Sequence, residues 1–98
     1  MLKRQPAKDG NKVKVTFAIP HDPDMPRTYV VGDFNDWKQD ANLMIKRSNN
    51  TRSTTVELTP GKQYAFRYYT EDGKWFNEEN ADEYIANSHG TQNCIVVA

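Results

Sequence analysis

The chain is short of cysteine, of net charge and of long apolar runs. A single Cys94 cannot close an internal disulfide, so burial rather than covalent stapling must hold the fold. Lys plus Arg and Asp plus Glu both number 13, giving a formal net charge of zero. That balance removes the long-range attraction on which non-specific nucleic-acid binding depends, so nucleic acid is not an expected partner. No stretch approaches the roughly 20 apolar residues that cross a bilayer as a helix, so no membrane association is expected either. The charged start Met1-Leu2-Lys3-Arg4 leads into no apolar run, which sets the expectation of a chain without an export signal in the reducing cytoplasm. At 98 residues there is room for one domain. Residues 12–98 are expected to form it and residues 1–11 to fray. A (β/α)₈ barrel needs about 200 residues or more, so no catalytic domain is expected.

A sustained helical period is also missing. Short runs instead alternate with period two between Gly, Pro, Asn and Asp punctuation. In residues 12–19, Val13, Val15, Phe17 and Ile19 share one face, with Lys14, Thr16 and Ala18 on the other. Thr28-Tyr29-Val30-Val31 is a second strand ending at Gly32, after a loop holding Pro23 and Pro26. Residues 43–47 and 53–58 predict a hairpin closed by Asn49-Asn50, and Pro60-Gly61 a turn. Residues 63–70 form the clearest strand, with Tyr64, Phe66, Tyr68 and Thr70 inward and Ala65, Arg67 and Tyr69 outward. Glu71-Asp72-Gly73 turns the chain into Lys74-Trp75-Phe76, and Cys94-Ile95-Val96-Val97 closes the core after a polar segment, 77–91. About seven strands predict an all-β, immunoglobulin-like antiparallel sandwich, with Val15, Phe17, Val30, Phe66, Tyr68 and Val96 in one core.

Groups suited to catalysis are sparse. His21 and His89 sit in separate polar loops without metal-ligand spacing, so no metal or other cofactor is expected. Cys94 beside three apolar residues reads as a small buried filler rather than a nucleophile. Glu78, Glu79, Asp82 and Glu83 contain enough carboxylates for a glycoside hydrolase, but read as a solvated acidic run without the apolar pocket that would raise one pKa.

Two tryptophans in polar loops are the informative feature. Trp37 closes Gly32-Asp33-Phe34-Asn35-Asp36-Trp37, and Trp75 closes Asp72-Gly73-Lys74-Trp75. A glucose ring presents a weakly apolar C–H face that lies on an indole, while its rim hydroxyls need amides, cations and carboxylates.

The run Val30-Val31-Gly32-Asp33-Phe34-Asn35-Asp36-Trp37, followed by Tyr64-Ala65-Phe66-Arg67-Tyr68-Tyr69, Asp72-Gly73-Lys74-Trp75 and Gly90-Thr91-Gln92-Asn93, resembles the isoamylase N-terminal, or early-set, modules of carbohydrate-binding module family 48. It is also similar to the glycogen-binding domain of the AMP-activated protein kinase β subunit. The resemblance covers residues 12–98. It implies a non-catalytic sandwich that binds α-1,4-linked glucan or maltooligosaccharide, of the kind that precedes family 13 hydrolases and branching enzymes. An early-set domain that docks onto a glucan-metabolising enzyme or kinase stands beside it as a second reading, with a small hydrolase as a remote third. Residue by residue, the resemblance implies Trp37 and Trp75 as stacking platforms, Arg67 in place of a hydroxyl-binding lysine, and Thr91 and Asn93 as hydrogen-bonding groups. His89 replaces an apolar residue that hooks through the bound glucan, so it is implied as a stacking ring, and the turn before Trp75 is one residue longer.

Overall fold

The alternating runs become two antiparallel sheets in the computed structural model, which describes residues 1–8 and 10–98. The first sheet has the order β1 (Leu2–Pro6), β2 (Val13–Pro20), β5 (Thr51–Leu58), β4 (Ile45–Lys46). The second has the order β3 (Thr28–Gly32), β6 (Gln63–Thr70), β9 (Gln92–Val97), β8 (Glu83–Ala86), and β7 (Trp75–Phe76) also pairs with β6. This is the all-β, immunoglobulin-like sandwich that the alternation predicts.

The inward residues of both sheets meet in one buried cluster that includes all six predicted core residues, Val15, Phe17, Val30, Phe66, Tyr68 and Val96. Phe17 and Phe66 pack edge-on at 4.9 Å between ring centroids, and Phe66 and Tyr68 at 5.8 Å. Offset and edge-on rings keep positive edges against negative faces, so these contacts add to the burial itself.

Nine strands are present among the described residues, against about seven expected. The two additional strands lie on sheet edges. β1 occupies the segment expected to fray, yet pairs with β2 from Leu2↔Phe17 to Pro6↔Val13. Arg4 fastens it, donating from Nε to the Val97 carbonyl at 2.8 Å and pairing with Asp82. Its register comes from backbone pairing rather than an apolar face, so no alternation announces it. Residue 9, within the same segment, lies outside the described residues. β8 falls in the polar segment and exposes all four of its residues.

Two loop residues also differ from expectation. Glu78 is buried rather than part of a solvated run. His21 is half-buried, and its Nδ1 accepts from Arg52 Nε at 3.1 Å. Arg52 donates further to the carbonyls of Asp22 (2.9 Å), Met25 (2.8 Å) and Pro26 (2.6 Å), gathering residues 21–26 around one guanidinium.

The two edges of β6 position the site. Along one edge β3 pairs residues 66–70. Along the other, β9 pairs only as far as Phe66↔Cys94, and β7 takes over at Tyr68↔Phe76. Arg67 stands at that gap, on the outer face. Asn77 spans it, accepting from Arg67 Nε at 2.7 Å and donating to the Gln92 carbonyl at 3.1 Å.

Candidate functional site

The loop carrying Trp37 is set by the residues before it. Gly32 lies against β6 so closely that a Cβ there would stand 2.4 Å from the Ala65 carbonyl oxygen and 2.8 Å from Phe66 Cβ. Only glycine fits such an approach. Asp33 through Asn35 then make a single 3₁₀ turn. Within it Phe34 turns back toward the core, 5.4 Å from the Phe17 ring. Asn35 accepts from Gly32 N–H at 3.0 Å and donates to the Val30 carbonyl at 3.0 Å and Asn42 Oδ1 at 2.7 Å.

Asp36 and Trp37 both take left-handed backbone, at φ 57° and 58°. A bulky residue there costs on the order of 1–3 kcal/mol, so the surroundings must hold it. They do so from two sides. Trp37 N–H donates to the Gly32 carbonyl at 2.9 Å, and its indole Nε1–H donates to Asp33 Oδ1 at 2.9 Å. The other oxygen of Asp33 accepts from Ala65 N–H at 2.8 Å, tying the indole to β6.

Trp75 arrives through a different device. Gly73 at φ +90° closes a turn in which its N–H reaches the Thr70 carbonyl at 2.9 Å. β7 then pairs Tyr69↔Trp75, and since Phe76 packs inward against Tyr68, Trp75 faces outward. It is 38% exposed, with one side against Tyr69 at 4.6 Å and the Arg67 guanidinium 5.9 Å from its ring centre. A cation over an indole face is attracted by the ring quadrupole and restrains both groups.

Trp37, Arg67, Trp75, His89, Thr91 and Asn93 line one open cleft of about 470 Å³. The structure thus brings together every residue that the resemblance nominates. Arg67 reaches Thr91 Oγ1 at 3.4 Å as well as Asn77, and among the described residues its Nη2 has no protein partner. His89 is exposed at the tip of the loop between β8 and β9. Among the described residues the cleft lining holds one guanidinium and no carboxylate, which suits a neutral ligand rich in hydroxyls.

The acidic residues lie elsewhere. Glu78 accepts from Tyr68 Oη at 2.9 Å and Asn80 N–H at 2.8 Å, and pairs with the Met1 ammonium. Burial pushes its pKa up, but these donors and that positive charge outweigh burial and hold the carboxyl below its ordinary value. Burial, with the neighbouring Glu78 charge, pushes the Tyr68 hydroxyl far above its usual range. Burial likewise raises the Cys94 thiol, despite a hydrogen bond from Glu78 N–H to Sγ at 3.2 Å.

A family model described as the glycogen recognition site of AMP-activated protein kinase matches residues 7–98. The chain belongs to that family. No curated protein matches it.

In this member of the glycogen-recognition family, two lining residues escaped the sequence reading, Asn87 and Ser88. Asn87 is the hub of its loop. Its Oδ1 accepts from the backbone N–H of His89 at 2.9 Å and Thr91 at 3.2 Å, and its Nδ2 donates to Thr91 Oγ1 at 2.8 Å and Asn93 Oδ1 at 3.1 Å. The signal available was the Asn-x-x-Gly spacing of Asn87-Ser88-His89-Gly90, which marks a turn closed by the Asn side chain.

Proposed function

We propose that this chain is a non-catalytic module that binds α-1,4-linked glucan in the cleft between Trp37 and Trp75. In this reading the two indoles carry the apolar faces of glucose units. Arg67, Thr91 and Asn93 bond the rim hydroxyls, and His89 adds a third ring at the loop tip. The observation that carries it is convergence: residues from two separate loops and from strands β6, β7 and β9 line the same open cleft. The motif resemblance adds a kinship with the N-terminal modules of family 13 hydrolases and branching enzymes to this proposal.

The non-catalytic part rests on the carboxylates. A glycosidic acid needs a raised pKa, whereas Glu78 is held below its ordinary value and lies outside the cleft. The raised thiol of buried Cys94 is a poor nucleophile. Purified protein should be retained on amylose or glycogen, should lose retention in Trp75→Ala, and should release no reducing sugar from either polymer. Reducing-sugar release abolished by Glu78→Gln would overturn the non-catalytic assignment.

One observation favours a second reading, docking onto a glucan-metabolising enzyme. β8 is an uncovered sheet edge that exposes Tyr84 (38%) and Ile85 (46%). Such an edge offers both backbone groups and apolar side chains to a partner. In that case Ile85→Lys weakens the association and leaves oligosaccharide affinity unchanged.

A further inference from the structure

Trp37 has open space on both sides. Beyond the cleft it shares with Trp75, the same residue lines a second, shallower groove of about 540 Å³, together with Tyr29, Tyr69, Lys38, Gln39 and Glu71. The floor of this groove follows from strand register. Tyr29 on β3 pairs with Tyr69 on β6, and Tyr69 pairs with Trp75 on β7. One position away, Val30, Tyr68 and Phe76 pair in the same way and face the core. Because side chains alternate along a strand, Tyr29, Tyr69 and Trp75 all stand on the outer face. Adjacent strands lie about 4.8 Å apart, so the three rings form a row roughly 10 Å long that leads out of the cleft and into the groove.

The chemistry of the groove repeats that of the cleft. Aromatic side chains lie beside exposed hydrogen-bonding groups, and Lys38, Asp40 and Glu71 are all exposed along the groove. Mixed charges on an open wall favour neither an anion nor a cation. They suit a neutral ligand that offers hydroxyls as both donors and acceptors.

We propose that this groove is an extension subsite, taking glucose units of a glucan chain that continues past Trp37, and that it makes the module select longer linear chains. The proposal rests on the reading of the Trp37–Trp75 cleft as the primary glucan site. Trp37 is then a shared wall between two subsites, with Tyr29 and Tyr69 as the second platform.

Titration calorimetry with maltotriose and maltoheptaose, on wild type, Tyr29→Thr and the double variant Lys38→Ala/Gln39→Ala, tests it. Thr retains strand propensity at position 29, and residues 38 and 39 are exposed, so the double variant has no packing to lose. A longer chain also gains affinity from additional binding registers, but that statistical gain is the same in every variant. The expected result is a maltoheptaose-to-maltotriose affinity ratio that falls by about tenfold in Tyr29→Thr, equal to about 1.4 kcal/mol, and by a smaller factor in the double variant. Maltotriose affinity should be unchanged in both, which also verifies folding. Ratios equal to wild type in both variants would overturn the extension subsite while leaving the primary site intact. No binding of either sugar by wild type would instead sink the primary site, and the extension with it.

Discussion

In the proposed glucan site each residue has a separable job, and substitution separates them. Trp75→Ala removes a half-exposed platform without opening the core, and should weaken maltoheptaose binding by about 1–3 kcal/mol, by analogy with aromatic platforms under nucleobases. Arg67→Ala should cost less, about 0.5–1.5 kcal/mol, because its hydroxyl bonds compete with water. Asn87 acts through the loop it organises. Asn87→Ala should weaken binding by about 1–2 kcal/mol and accelerate amide exchange at His89 and Thr91, whose N–H groups it bonds. Asn87→Asp keeps the acceptor and loses the donors, so it should restore the exchange protection but only part of the affinity. Equal amide exchange in wild type and Asn87→Ala would remove Asn87 from this role. Arg67 was legible as an outward residue from strand alternation and the tryptophans from their polar loops, while their binding roles came from the family resemblance. Asn87 was not, since an Asn among polar neighbours has no visible partner until the loop closes. Arg52 was hidden for the same reason: beside His21 Nδ1 and Thr28 Oγ1, three of its acceptors are the backbone carbonyls of Asp22, Met25 and Pro26, which no side-chain pattern marks.

At the level of elements, the cleft depends on how tightly the β3 end meets β6. Gly32→Ala drives a methyl into the Ala65 carbonyl and Phe66 Cβ, both fixed within a central strand. The expected cost is about 1–3 kcal/mol of stability, read from urea unfolding, with loss of glucan affinity at temperatures where the variant is still folded. An Ala variant as stable as wild type would show that β3 and β6 have more freedom than their contact implies. β6 was legible to the residue, from Gln63 to Thr70, because half of it is buried and half is not. β8 and β1 were opaque because edge strands that bury little leave no alternation to read. Their positions follow instead from backbone pairing with β9 and β2, which only the assembled fold supplies.

Across the whole molecule, Glu78 links distant parts of the chain, joining Tyr68 of the second sheet to the Met1 ammonium, which also donates to the Ala18 carbonyl. Its pKa in the folded protein lies below the ordinary 4.5, so the unfolded chain binds the proton more readily. The stabilisation is therefore complete above the ordinary value and is lost as pH falls through the lowered one. Melting temperature followed from about pH 7 to about pH 3 should drop steeply in wild type and less steeply in Glu78→Gln, which has no charge to neutralise. Parallel acid limbs in the two proteins would assign the acid sensitivity to other carboxylates. Glucan recognition remains the central claim, and titration calorimetry with maltoheptaose, a neutral ligand long enough to cross the cleft, tests it most directly. Wild type should bind with a dissociation constant between about 1 µM and 1 mM, and Trp37→Ala and Trp75→Ala should each weaken binding at least about fivefold while keeping the wild-type fold. No heat of binding at millimolar maltoheptaose, or full affinity in both folded Trp variants, would contradict it.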